Sequence, residues 1–238
     1  MTNLMIKLRR SPRTLLERDG YPGPGPGHLA VVMARAGVGK TAFLVGIGID
    51  ALLSGQKVLH ISLERTIDKV RDWYDDLLME MLRREKKLEH WAAIQLEIEK
   101  RRNIHTYVGS SFSADRLRSA LELLREAADF IPDVIILDRM EMEGFDPALI
   151  GAAKSLAAES NAELWMACRT HREKPAKEGH LPPPADRFED LVDTAFSLVP
   201  QDTKVRLQVA KDRNKMLAED LNVVVDPRTL LLTTGVKR

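Results

Sequence analysis

A single cysteine, Cys168, stands in a chain of 238 residues. No disulfide can form within the chain, which fits a reducing compartment. None is needed, because a chain this long can bury roughly 70% of its unfolded surface. Long apolar runs are also missing. No stretch reaches the ~18 uncharged apolar residues of a membrane span, and no apolar run follows the charged first ten residues as in a signal peptide. The expectation is a cytoplasmic protein with no membrane attachment. An excess of one charge is lacking too: 36 basic residues face 35 acidic ones, a net charge of +1. Global charge therefore argues neither for nor against nucleic acid, and only a local basic patch could. No internal repeat is found, and the one biased tract is Pro22-Gly23-Pro24-Gly25-Pro26-Gly27.

That tract admits neither a helix nor a strand ladder. It divides an N-terminal extension and lead-in loop, residues 1–27, from a domain over residues 28–238. Patterning predicts strands over 28–33 and 57–63, with a helix over 41–54 between them. Residues 66–102 are long, charged and periodic, hence one or two helices. The cluster Arg83, Arg84, Lys86 and Lys87 reads as a wet helix face. A short strand over 103–108 follows, then a helix over 114–128 capped by Ser113. The run Asp133-Val134-Ile135-Ile136-Leu137-Asp138 reads as a strand buried on both faces. A helix opens at Asp146-Pro147 and runs to about residue 160, and a strand covers 162–168. Residues 170–187 read as a polar loop. Strands over 195–199, 205–210, 221–225 and 230–233 follow. The fold class is therefore α/β: a mostly parallel twisted sheet flanked by helices, ending in an antiparallel β-meander.

Ala34-Arg35-Ala36-Gly37-Val38-Gly39-Lys40-Thr41 matches the Walker A pattern except that Ala34 stands for the usual first glycine. Gly37 and Gly39 let the backbone curl so that amide groups face phosphates. Lys40 is expected to reach the β- and γ-phosphates, and the Thr41 hydroxyl to ligate magnesium. The loop lies between a strand and a helix whose positive end favours an anion. The cofactors expected are ATP and Mg2+. Asp138 ends a buried strand at the edge where parallel sheets bind ligands, so it is the expected second metal-side residue. Glu64 follows the second predicted strand. If that strand neighbours the loop strand, Glu64 can orient the attacking water. Read alone, Glu64 is first an ordinary acid at a helix start, and the resemblance below strengthens the functional reading.

Taken together these residues resemble the RecA-like ATPase core, most closely its DnaB-type helicase and KaiC-like branch. Ser62-Leu63-Glu64 is similar to that branch's catalytic Ser-Leu-Glu, and residues 134–138 to its Walker B strand. Residues 148–162 look like its helix before the sensor strand. Phe188-Glu189-Asp190-Leu191-Val192-Asp193 resembles its acidic segment, Lys211-Asp212-Arg213-Asn214 its Lys-x-Arg-Asn motif, and Asp226-Pro227 with residues 230–233 its closing hairpin. The likeness runs from about residue 12 to residue 234. It implies a homo-oligomer, a ring or filament, with ATP between subunits and Lys211 and Arg213 reaching a neighbour's γ-phosphate. It also implies the ATPase core without the collar domain of replicative helicases.

The chain departs from that pattern at Arg169-Thr170-His171, where the family carries a Ser-Gln pair. Arg169 and His171 are the candidate phosphate sensors in its place. The loop over 170–187 stands where the family's second DNA loop lies. Arg172, Lys174, Lys177 and Arg187 could meet phosphates there, but the loop has no aromatic residue for stacking. Arg71, Trp73 and Tyr74 could stack on adenine or pack in the core. Two classes of function follow. One is an ATP-hydrolysing oligomer acting on single-stranded DNA in replication, recombination or repair. The other is a KaiC-like regulatory switch with a protein partner, or a non-motor nucleotide-binding scaffold.

Overall fold

The computed structural model describes residues 23–63, 66–108, 111–140, 146–170, 176–201, 204–226, 229 and 231–234. Strand β1 (Leu29–Ala34) is buried along its whole length. Its side chains alternate, as strand geometry requires. Ala30, Val32 and Ala34 join one core, and Leu29, Val31 and Met33 join another on the opposite face. The other strands are β2 (Val58–Ser62), β3 (Arg102–Thr106), β4 (Val134–Asp138), β5 (Glu163–Arg169), β6 (Thr194–Gln201), β7 (Lys204–Asp212), β8 (Lys215–Val225) and β9 (Leu232–Thr234). They form a nine-stranded sheet in the order β3-β2-β4-β5-β1-β6-β7-β8-β9. Pairing is parallel from β3 through β6 and antiparallel from β6 to β9. This mixed α/β sheet, parallel in its centre with an antiparallel C-terminal meander, is consistent with a RecA-like fold.

Helix α1 (Lys40–Leu53) is buried continuously from Ala42 to Leu53. It lies under α2 (Ile67–Arg84) and α3 (Trp91–Glu99), all on one face of the sheet. The long charged segment thus splits in two, the break falling beside Lys86, which has a left-handed φ of 54°. Thr66 caps α2 by accepting from the Lys69 N–H. Helices α4 (Ala114–Ala128) and α5 (Pro147–Glu159) cover the other face with the 3-10 segment Ala185–Leu191. Ser113 caps α4 through the Arg116 N–H, and Asp146 caps α5 through the Ala148 N–H. Among the described residues no helix is long and apolar enough to cross a membrane.

A close approach ties α1 to α2. A Cβ on Gly48 would lie 2.4 Å from the Tyr74 hydroxyl. That hydroxyl is 3.1 Å from His60 Nδ1, inside the core. Burial pushes the His60 imidazole down to about 3, so it stays neutral in the fold.

One expectation about strand order is corrected. The sequence reading made Glu64's role depend on β2 lying beside the loop strand. The neighbours of β2 are β3 and β4, and β5 lies between β4 and β1. Hydrophobic runs mark which segments are strands, but not how strands are ordered. β8 is also longer than expected, beginning at Lys215 rather than at residue 221.

Candidate functional site

The strands from β3 through β6 are parallel, so the segments following β1, β2, β4 and β5 leave the sheet at one edge. The loop after β1 turns through Gly37 (φ 77°) and Gly39 (φ 111°). Side chains rarely adopt such backbone angles. The space beside both glycines is nonetheless open, with nothing within 4 Å of a Cβ built there. Gly39 begins α1 without a side-chain cap. The first amide groups of any helix lack partners within it, so this end of α1 offers donors and positive potential to an anion.

Lys40 reaches back along the loop, donating to the carbonyls of Ala34 and Arg35 at 2.9 Å each. Burial lowers its ammonium to about 8. The Arg169 and Arg139 guanidiniums push it the same way, while Asp138 pulls against them. Burial thus disfavours the charged lysine, and an anion beside it would offset that,.

Thr41, in the first turn of α1, donates its hydroxyl to Asp138 Oδ2 at 3.0 Å. Parity along β4 explains the meeting. Val134 and Ile136 face the α1 side of the sheet, so Asp138 points to that side as well. Its carboxylate is almost fully buried, and Oδ1 accepts from the Arg139 N–H at 2.9 Å. The structure therefore brings together the two residues that the sequence reading placed on the metal. Among the described residues no three His, Cys, Asp or Glu side chains cluster as a metal cage. One hydroxyl and one carboxylate suit magnesium, which takes few protein ligands and completes its shell with phosphate oxygens and water.

Glu64, His171, Arg172 and Lys174 lie outside the described residues. Leu63, just before Glu64, donates its N–H to the Asp138 carbonyl at 3.2 Å, so β2 ends against the strand that bears Asp138. Arg169 is exposed at the end of β5 and registers with Ala34, the first residue of the loop motif. The Thr170 N–H donates to the Ala34 carbonyl at 3.1 Å. Lys177 and Arg187 are exposed. Trp73 packs against the core and Tyr74 is buried in it, so the core-packing alternative describes both. Arg71 pairs with Asp68 and Glu99.

Lys211 and Arg213 part company. Lys211 is buried, and its amine donates to the Glu189 carbonyl of the same chain. Arg213 is exposed in the β7–β8 turn. Its N–H donates to the Asp193 carbonyl, and Asp193 in turn bonds Leu29, where β1 begins. That turn lies at the opposite edge of the sheet from the glycine loop. The length of β1, roughly 17 Å at about 3.3 Å per residue, separates Arg213 from its own Lys40.

Sequence reasoning missed Arg139. It follows Asp138 with φ 60° and is half-buried. Nothing in an arginine codon marks a left-handed turn, and position after the strand-end acid was the one clue.

No family model matches the chain. Among curated proteins it is similar to a DnaB-like replicative helicase of Enterobacteria phage T4. The two are 26% identical over 196 residues, covering 71% of this chain. The chain spans 41% of that relative's length. This distant likeness is to part of a helicase and supports a RecA-like family at most.

Proposed function

We propose that this chain binds ATP with magnesium at residues 34–41 and hydrolyses it, working as a RecA/DnaB-like oligomer on single-stranded DNA. The observation that supports this most is the 3.0 Å contact between Thr41 and Asp138 at the foot of a loop holding Lys40. Gly37 and Gly39 would present amide donors to the phosphates, and Lys40 would exchange its two loop carbonyls for phosphate oxygens. Thr41 and Asp138 would hold magnesium, which when bound neutralises charge on the phosphates. Although β2 does not adjoin β1, it ends against the strand that bears Asp138, and from just beyond that end Glu64 would orient the attacking water and accept its proton. Arg213 can reach a phosphate only across a subunit boundary, because its own loop lies at the far edge of the sheet. Lys211 instead tethers the turn, and the acidic segment beside it, within the chain.

The replacement of Glu64 by Gln tests the chemistry. Binding of ATP should persist while turnover falls by at least about a hundredfold, the lower end for general-base removal. Unchanged turnover would remove Glu64 from the site.

A second reading, a KaiC-like switch with a protein partner, is favoured by one observation. An exposed arginine, Arg169, ends β5 where the family couples phosphate to DNA through glutamine. Turnover measured with and without single-stranded DNA at low salt separates the two. Stimulation supports the motor, and its absence supports the switch.

A further inference from the structure

The polar loop that follows β5 is fastened at a single carboxylate. Residues 177–180 form a turn, closed by the His180 N–H donating to the Lys177 carbonyl at 3.1 Å, with Gly179 left-handed at φ 74°. The turn leaves Lys177 exposed and delivers the next two residues onto Glu189. His180 Nδ1 lies 2.6 Å from Glu189 Oε1, and the Leu181 N–H donates to Oε2 at 3.1 Å. An ionised carboxylate only accepts, so His180 carries a proton on Nδ1. Burial pushes the Glu189 carboxyl up, but the His180 and Leu181 bonds and the charge of Lys211 outweigh it and hold the group below the usual carboxylate range. Leu181 itself is buried with Ala185 and Phe188, which fixes the far side of the turn.

The same short segment grips the hairpin between β7 and β8 through its backbone. The Glu189 carbonyl accepts from the Lys211 amine. Four residues on, the Asp193 carbonyl accepts from the Arg213 N–H. Residues 189–193 are thus tied by a side chain to the turn bearing Lys177 and by carbonyls to the turn bearing Arg213. We propose that Glu189 is a positioning residue that couples these two turns, so that a nucleic-acid phosphate engaged at Lys177 alters how Arg213 meets the neighbouring subunit's nucleotide. This rests on the motor reading proposed above. The His180 ring is half exposed, so a phosphate at the turn competes with Glu189 for its N–H and repels the carboxylate. Glu189 itself touches neither nucleotide nor DNA.

Turnover of ATP by the full chain, with and without saturating single-stranded DNA at low salt, tests the coupling. Glu189→Ala removes both acceptors and should lose the stimulation that DNA gives the wild type, with the KM for ATP unchanged. Glu189→Gln keeps one acceptor and should retain part of the stimulation. His180→Ala spares the Leu181 bond and should also fall between, and it decides alone if Glu189→Ala does not fold. Undiminished stimulation in Glu189→Ala or in His180→Ala would overturn the coupling while leaving the motor reading standing. So would a rise in the KM for ATP in step with the loss, the mark of a merely structural role. A wild type that DNA does not stimulate would remove the motor reading and this inference together.

Discussion

Every residue of β1 and β4 is buried, whereas β7 alternates between exposed and buried along its length. The difference follows from what covers each half of the sheet. Helices lie on both faces of the parallel half, so its central strands β1 and β4 are apolar up to their ends, which can hold a carboxylate such as Asp138 out of water. The antiparallel half turns a polar face outward, where Arg206 and Gln208 both bond Asp220 across β7 and β8. A rigid, dry half suits binding and chemistry. A wetter half, with Arg213 at its hairpin turn, suits contact with another copy.

The largest expected effect crosses between the halves. Arg213→Ala should leave ATP affinity nearly unchanged and lower turnover by about a thousandfold, as removal of a trans arginine does. Mixing that variant with Lys40→Ala subunits should restore part of the activity, since one of the two kinds of mixed boundary then joins an intact loop to an intact Arg213. Failure of the mixture to recover any turnover would place Arg213 outside the chemistry.

A smaller effect lies in the buried half. Gly48→Ala forces a methyl onto the Tyr74 hydroxyl 2.4 Å away. Overpacking of this kind costs about 1–3 kcal/mol, against a gain of about 1 from alanine's better helix propensity. Net destabilisation in a urea melt is expected, and Tyr74→Phe should relieve part of it.

His60 adds a pH dependence to the same half. Its folded value, about 3, lies below the unfolded value near 6.5,. The unfolded chain therefore binds more protons between those values, and the stability His60 contributes is lost as pH falls from about 6.5 toward 3. Stability compared at pH 7 and pH 5 should drop more for the wild type than for His60→Gln.

The smallest effect belongs to the exposed half. Asp220→Ala removes the half-exposed pairing with Arg206 and should cost less than about 1 kcal/mol. A larger loss would show that the meander is as tightly determined as the parallel strands.

The same contrast explains what could be read from the sequence. α4 was legible to the residue because Ser113 caps it and one apolar stripe, Leu117, Leu121 and Leu124, faces the core. β4 was legible because an unbroken apolar run ends in an acid. The start of β8 was not, because residues 215–220, Lys-Met-Leu-Ala-Glu-Asp, show no alternation of polar and apolar side chains. The Thr41–Asp138 meeting was anticipated from the loop motif and from the place of Asp138 at the end of a buried parallel strand. The distance of Arg213 from its own loop was not, because it depends on strand order and direction, which side-chain patterns do not encode. Arg139 was invisible because its left-handed backbone comes from tertiary context rather than residue type.

The account turns on Thr41 and Asp138 forming the metal side of a nucleotide site. The direct measurement is ATP affinity of the wild type and of Asp138→Ala, each titrated with and without magnesium. The wild type should bind more tightly with magnesium, and the variant should lose that dependence. Equal magnesium dependence in both, or no ATP binding by the wild type, would contradict it.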